Sequence, residues 1–189
     1  MSKRLFVCLT GMPGAGKTTV ASFLKEKGFA TVTMGDAIRE EAKRQSLEQT
    51  DANLGKLMIK LRQDLGQGAV AHLVLQKLAR DGNTGNVVID GLRSIPEVEV
   101  LKQAGYVKLL AIHASQDTRF RHLVHRGRSD APVNNDDFAG RDKRELSVGI
   151  SEAIALADET ISNNELTLDQ LKWHAYGIVR AWLEEAKNS

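Results

Sequence analysis

Apolar residues fall along this chain in short dense runs, separated by longer stretches where they recur at every third or fourth position. That alternation of strand and helix signals is the signature of a parallel sheet built from βαβ units. Leu5 to Leu9 is unbroken apolar sequence, so Leu5–Thr10 reads as a central strand. Residues 17–27 form a helix with Val20, Phe23 and Leu24 on one face, closed by Gly28 as its C-terminal cap. A short second strand follows over 30–34, then a helix over 37–44. Leu54, Leu57, Met58, Leu61 and Leu65 keep helical spacing up to the break at Gly66-Gln67-Gly68, after which Val70, Leu73, Val74 and Leu78 resume it.

The third strand spans 86–90 and ends in an acid, Asp90. Ser94-Ile95-Pro96-Glu97 has the spacing of a capping box and opens a helix that turns Ile95, Val98 and Leu101 inward. A fourth strand covers 107–113 and a helix 118–126, and 128–142 reads as a polar loop. A helix over 146–157, a short fifth strand around Thr160 and Ile161, and a terminal helix over 167–185 complete the chain. That last helix carries a stripe of Leu168, Leu171, Ala175, Ile178 and Trp182. The expected fold is a three-layer α/β/α sandwich on five parallel strands ordered 2-3-1-4-5. The stretch between the second and third strands is far longer than a minimal crossover, which marks about 36–80 as a candidate substrate-binding insert within one domain spanning 1–189.

Composition adds bounds. A hydrophobic share of 42% and a charged share of 26% belong to a globular chain. Lys+Arg of 26 against Asp+Glu of 24 leaves +2, too balanced for an overall nucleic-acid footprint. The first apolar run is too short for a signal peptide, and nothing approaches the roughly 20 residues of a membrane helix. Cys8 is the sole cysteine and sits inside the first strand, so it reads as a buried, inert thiol. A cytoplasmic location without a membrane partner is the expectation.

Chemistry enters at Gly11-Met12-Pro13-Gly14-Ala15-Gly16-Lys17-Thr18, which matches G-x-x-x-x-G-K-[ST] between a strand and a helix. Glycine at 14 and 16 lets the backbone curl until successive N–H groups face phosphate oxygens. The helix that begins there offers its positive N-terminal end to the same anion. Lys17 can reach the β- and γ-phosphates, and the Thr18 hydroxyl can join a Mg²⁺ shell, with Thr19 beside it. Asp90 is the second expected Mg²⁺ residue, delivered by an apolar strand to the edge of the sheet where ligands bind. Gly91 follows it, where motor and transport ATPases usually place a water-polarising Glu. That favours transfer to a bound acceptor over hydrolysis.

Phosphoryl transfer needs converging positive charge, and Arg39, Arg93 and the group Arg126, Arg128, Arg141 and Arg144 are the candidates. Asp36 is the candidate base if the acceptor is a hydroxyl. Asp117, Arg119 and Arg121 read as a solvated helix face, and His113 as structural.

With these residues the chain resembles the adenylate kinase superfamily of nucleoside monophosphate kinases, and within it the archaeal adenylate-kinase-related, dephospho-CoA-kinase-like proteins. Nearly the whole chain is covered, through the cradle, Met34-Gly35-Asp36 with Arg39, Asp90-Gly91-Leu92-Arg93-Ser94, Arg126-Gly127-Arg128, Arg141 to Leu146, and Ala157-Asp158 with Ile161 and Asn163. The resemblance implies that Arg39 grips the acceptor phosphate and that Arg126 begins a short lid over about 127–142. It implies further that Arg141 and Arg144 close over the transferred group, and that the loop bearing Asn163 lies against adenine. His122 stands where those kinases stack an Arg on the base, and the aromatic and Pro of their Asp-Gly-aromatic-Pro-Arg segment are absent here. ATP and Mg²⁺ are the implied cofactors, with Gly11 to Thr19, Arg126 and Asn163 as ATP-binding residues and Lys17, Arg39, Arg93, Arg128 and Arg141 as catalytic ones. The acceptor is a nucleoside monophosphate in the first reading, and dephospho-CoA or another small metabolite in the second. An ATP-switched assembly factor with a nucleic-acid or ribosomal partner is the third.

Overall fold

The computed structural model describes residues 4–126, 132 and 134–188. Five strands, β1 (Leu5–Thr10), β2 (Ala30–Thr33), β3 (Val87–Asp90), β4 (Tyr106–His113) and β5 (Glu159–Ser162), form one parallel sheet in the order β2-β3-β1-β4-β5, the order expected from the sequence. β1 is central because all six of its residues are buried and must be covered on both faces. Its register sets Leu9 beside both Asp90 and Leu110, and the Leu9 carbonyl accepts the Gly91 and Leu92 amides at 3.1 Å. The end of β3 is thereby stitched to the end of β1, which puts Asp90 next to the loop that begins at Gly11.

Alternate residues of β1 divide between two cores. Leu5, Val7 and Leu9 pack with Val20 and Leu24 of α1 (Lys17–Glu26) and with Leu171, Ala175, Val179 and Trp182 of the last helix. Phe6 and Cys8 face α2 (Met34–Arg44), α3 (Asp51–Leu65), α4 (Ala69–Arg80), α5 (Ile95–Lys102) and α8 (Ile150–Ala155). Burial among these apolar neighbours pushes the Cys8 thiol well above its ordinary pKa, so it is inert as expected. α6 (Gln116–Arg126) and α7 (Asn135–Ser147) lie between β4 and α8 in the chain, and α9 (Leu168–Lys187) ends it. A fully buried pair, Arg62 Nη2 to Glu97 Oε1 at 2.9 Å, ties α3 to α5. The other Glu97 oxygen accepts the Arg93 and Ser94 amides at 2.9 and 3.2 Å, fixing the turn after Asp90. No helix among the described residues is long and apolar enough to cross a membrane.

The structure departs from the sequence reading in three places. Met34 belongs to α2 rather than β2, because the Thr33 hydroxyl accepts the Asp36 amide at 2.9 Å and starts the helix three residues early. The stretch 128–142 is not all loop: α7 begins at Asn135. The Asn134 side chain accepts the Asp137 amide, Asp136 and Asp137 complement the helix dipole, and Phe138 is buried. The helix expected over 146–157 is broken at Gly149, whose φ of +96° separates α7 from α8.

Candidate active site

The loop between β1 and α1 has three residues in the left-handed region, Gly11, Gly14 and Gly16, with φ of +138°, +82° and +116°. A Cβ on Gly11 would lie 2.1 Å from the Ile112 carbonyl oxygen, so β4 itself forbids a side chain there. The carbonyls of the loop are taken one after another. Lys17 Nζ donates to Gly11 O at 2.6 Å and Met12 O at 3.2 Å. Arg119 Nη1 donates to Pro13 O at 3.2 Å, His122 Nδ1 meets Gly14 O at 3.0 Å, and Asn163 Nδ2 donates to Ala15 O at 2.8 Å. Carbonyl and amide point opposite ways along a peptide, so the hold of Arg119 on Pro13 O and of Asn163 on Ala15 O turns the Gly14 and Gly16 amides the other way. α1 begins at Gly16 with no side-chain cap and no acid in its first turn, leaving its positive end for an anion.

Lys17, Thr18 and Asp90 meet at the mouth of this loop. Burial pushes the Lys17 ammonium down to about 8; the nearby charges of Asp90 and Glu145 oppose that, and Arg93 and Arg141 add to it. Thr18 Oγ1 lies 3.4 Å from Asp90 Oδ2. The second Asp90 oxygen is buried and without a hydrogen-bond partner among the described residues, and burial raises that carboxyl's pKa against the pull of Lys17. A buried carboxylate oxygen with no partner, beside a hydroxyl and facing a phosphate cradle, fits an oxygen-liganded divalent cation. Thr18 and Asp90 would hold Mg²⁺, whose charge would offset that of bound phosphate. Asp90→Asn is expected to raise the Mg²⁺ concentration for half-maximal ADP formation by roughly 10–100-fold, the range typical of weakened metal sites. A metal titration at saturating ATP checks this, and an unchanged midpoint would remove Asp90 from the site.

A cavity of about 590 Å³ opens beside the cradle. Thr19, His122, Arg126 and Asn163 line it with the apolar Phe23 and Leu171, a polar loop on one side and an apolar slot on the other. Asn163 is nine-tenths buried and holds the loop as well as lining the cavity. On the first turns of α2, Arg39 Nη1 pairs with Asp36 Oδ1 at 2.8 Å, both about half exposed.

The arginines divide. Arg93 is held by a bidentate pair with Glu145, Nε to Oε2 at 2.6 Å and Nη2 to Oε1 at 3.2 Å, and its Nη1 lies 3.4 Å from Gly91 O. Arg141 sits on α7, close enough for its charge to act on Lys17 and Glu145. Arg128 lies outside the described residues, as does the start of the expected lid. Arg119 is a correction: it is no solvated charge but is 5% exposed. Its Nη1 and Nη2 meet Asp142 Oδ1 and Oδ2 at 2.8 and 2.6 Å, and its guanidinium stacks 4.9 Å over Phe138. Its i+3 and i+4 neighbours on α6 gave no hint, because both partners lie far along the chain. Glu145 carries no local signal either, because its partner Arg93 lies 52 positions away in the chain.

Residues 10–138 match the AAA domain family. A UPF0200 protein of Pyrococcus abyssi is 43% identical over 167 residues, covering 85% of this chain and 88% of the relative. Among solved structures, TT1252 from Thermus thermophilus superposes with a TM-score of 0.67 at 15% identity, over 94% of this chain and 97% of the other. Shikimate kinase from Bacteroides thetaiotaomicron gives 0.56 at 18% identity, over 95% and 98%. The chain shares its fold with both of these structures.

Proposed function

The chain belongs to the AAA domain family and to the UPF0200 proteins, and from that membership and the geometry of its cradle we propose that it is a small kinase passing the γ-phosphoryl of Mg·ATP to a nucleoside monophosphate. The observation that carries the reading is the convergence of Lys17, Thr18 and the partnerless oxygen of Asp90 where β1 and β3 end side by side. Gly91 after Asp90 supports transfer over hydrolysis, since no carboxylate follows to polarise water.

In this mechanism the cradle amides, Lys17 and the N-terminal end of α1 bind the β- and γ-phosphates, and the cavity lined by Phe23, Leu171, His122 and Arg126 takes the nucleoside. The insert over about 36–80 presents the acceptor, with Arg39 on its phosphate. An acceptor oxygen attacks the γ-phosphorus in line as the bond to the β–γ bridging oxygen breaks, so the phosphoryl moves and ADP leaves with that electron pair. A phosphate acceptor needs no base. A hydroxyl acceptor gives its proton to the Asp36 carboxylate, which lies near enough to Asp90 for their charges to interact. Arg93 and Arg141 neutralise charge at the transferred group.

A panel of Mg·ATP with each nucleoside monophosphate, with dephospho-CoA, with shikimate and alone tests this. The expected result is stoichiometric ADP formation that requires one monophosphate. Transfer to dephospho-CoA or shikimate instead would replace the acceptor, and phosphate release indifferent to every acceptor would sink the kinase reading in favour of a slow ATP switch.

A further inference from the structure

Two ion pairs hold α7 against the cradle, and they differ in kind. Arg119–Asp142 is closed off, with side chains 6% and 10% exposed, and it also carries the Pro13 carbonyl, so it is a fixed anchor. Arg93–Glu145 is more open, at 27% and 15% exposed, and it faces the place where charge has to be handled. Around the Glu145 carboxylate stand Arg93, which grips both of its oxygens, and Lys17 and Arg141, whose charges act on it. These are the cations that the cradle supplies for the transferred phosphoryl. A carboxylate and the terminal edge of a phosphate present similar pairs of anionic oxygens to a guanidinium fork.

We propose that Glu145 occupies the position of the γ-phosphoryl group in the nucleotide-free protein, and that ATP binds by displacing its carboxylate from Arg93. The proposal rests on the reading of the cradle as an ATP site. Asp90 already stands beside Lys17 and Arg93, and Glu145 supplies the second carboxylate that balances the charges of Lys17, Arg93 and Arg141. ADP, which lacks the third phosphate, leaves Glu145 in place. ATP must evict it, so Glu145 weakens ATP selectively and links γ-phosphate binding to a shift of the distal end of α7. Asp142, one turn earlier, keeps the helix attached through Arg119 throughout.

Calorimetry on the full chain, titrated with Mg·ATP and separately with Mg·ADP, tests this. Glu145→Gln keeps the shape and removes the charge, and it should tighten ATP about tenfold while leaving ADP within about twofold. Glu145→Asp keeps the charge and should leave the ratio of ATP to ADP affinity near that of the wild type. It also serves as the second variant should Glu145→Gln fail to give a cooperative melt, with a tenfold gain in ATP affinity from Asp counting against the idea. Unchanged or weaker ATP binding by Glu145→Gln, or equal tightening of ATP and ADP, overturns the proposal and makes Glu145 an orienter of Arg93. If the wild-type chain takes up neither nucleotide, the ATP reading itself falls and this one with it; if it binds both and only the variant disappoints, the ATP reading stands.

Discussion

Lys17→Ala is expected to lower kcat/KM for acceptor-dependent ADP formation by at least about 10³-fold, near 4 kcal/mol of transition-state stabilisation, with no loss of fold. The ammonium is the side-chain cation placed within the loop itself, where charge builds on the transferred group, and alanine leaves that charge to Arg93 and Arg141 outside the loop. The fold is expected to tolerate the change because the lysine is not there for stability. Its pKa lies at about 8 in the folded chain, below the ordinary lysine value of 10.5, so folding disfavours its charged form. Between those values the unfolded chain binds more protons, and wild-type stability should therefore rise with pH across about 8 to 10.5. The variant should lack that rise. Melting curves across this window, read beside the kinetics, check both halves. Near-wild-type transfer by Lys17→Ala would mean that the cradle is not where phosphate moves.

The cradle was legible in the sequence because its chemistry is local. Eight consecutive residues fix the loop, and the strand before it and helix after it have unambiguous periods. The central place of β1 was legible for a related reason: Leu5 to Leu9 is unbroken apolar sequence and has to be covered on both faces. What could not be read is whatever depends on distant partners. Arg119 and Asp142 are separated by 23 positions, and each looks like surface charge in its own helix. α7 escaped because its core contact is a single Phe138 and the rest of it is polar, so no stripe announces it. In α9 the expected Leu171, Ala175 and Trp182 are buried, but Val179 is buried where Ile178 is only partly so and Leu168 is 65% exposed, since the helix turns its 171, 175, 179, 182 and 186 positions to the core. Arg93 was expected on phosphate, and only the structure supplies Glu145, 52 positions away, as its present partner.

Arg119→Ala should destabilise the chain by about 3–5 kcal/mol, the usual cost of removing one partner of a buried pair. Asp142 would be left as an unpaired charge with little access to water, Pro13 would lose the donor on its carbonyl, and Phe138 the cation above its ring. At about 2–4 °C per kcal/mol for a domain of this size, the melting temperature should fall by roughly 6–20 °C. The effect also has to reach the site. Gly14 packs so closely on the Arg119 backbone that a Cβ there would lie 2.6 Å from its carbonyl oxygen, so α6 and the cradle are one body. Loss of the Pro13 contact should therefore raise the KM for ATP more than it lowers kcat. The double variant R119M/D142L separates the two roles. Replacing both charges with apolar groups of similar volume should restore most of the stability, because no ion is left buried. It should not restore ATP affinity, because methionine cannot hold the Pro13 carbonyl. Recovery of both together would make the pair a packing element alone, and recovery of neither would place the weight on Phe138 instead.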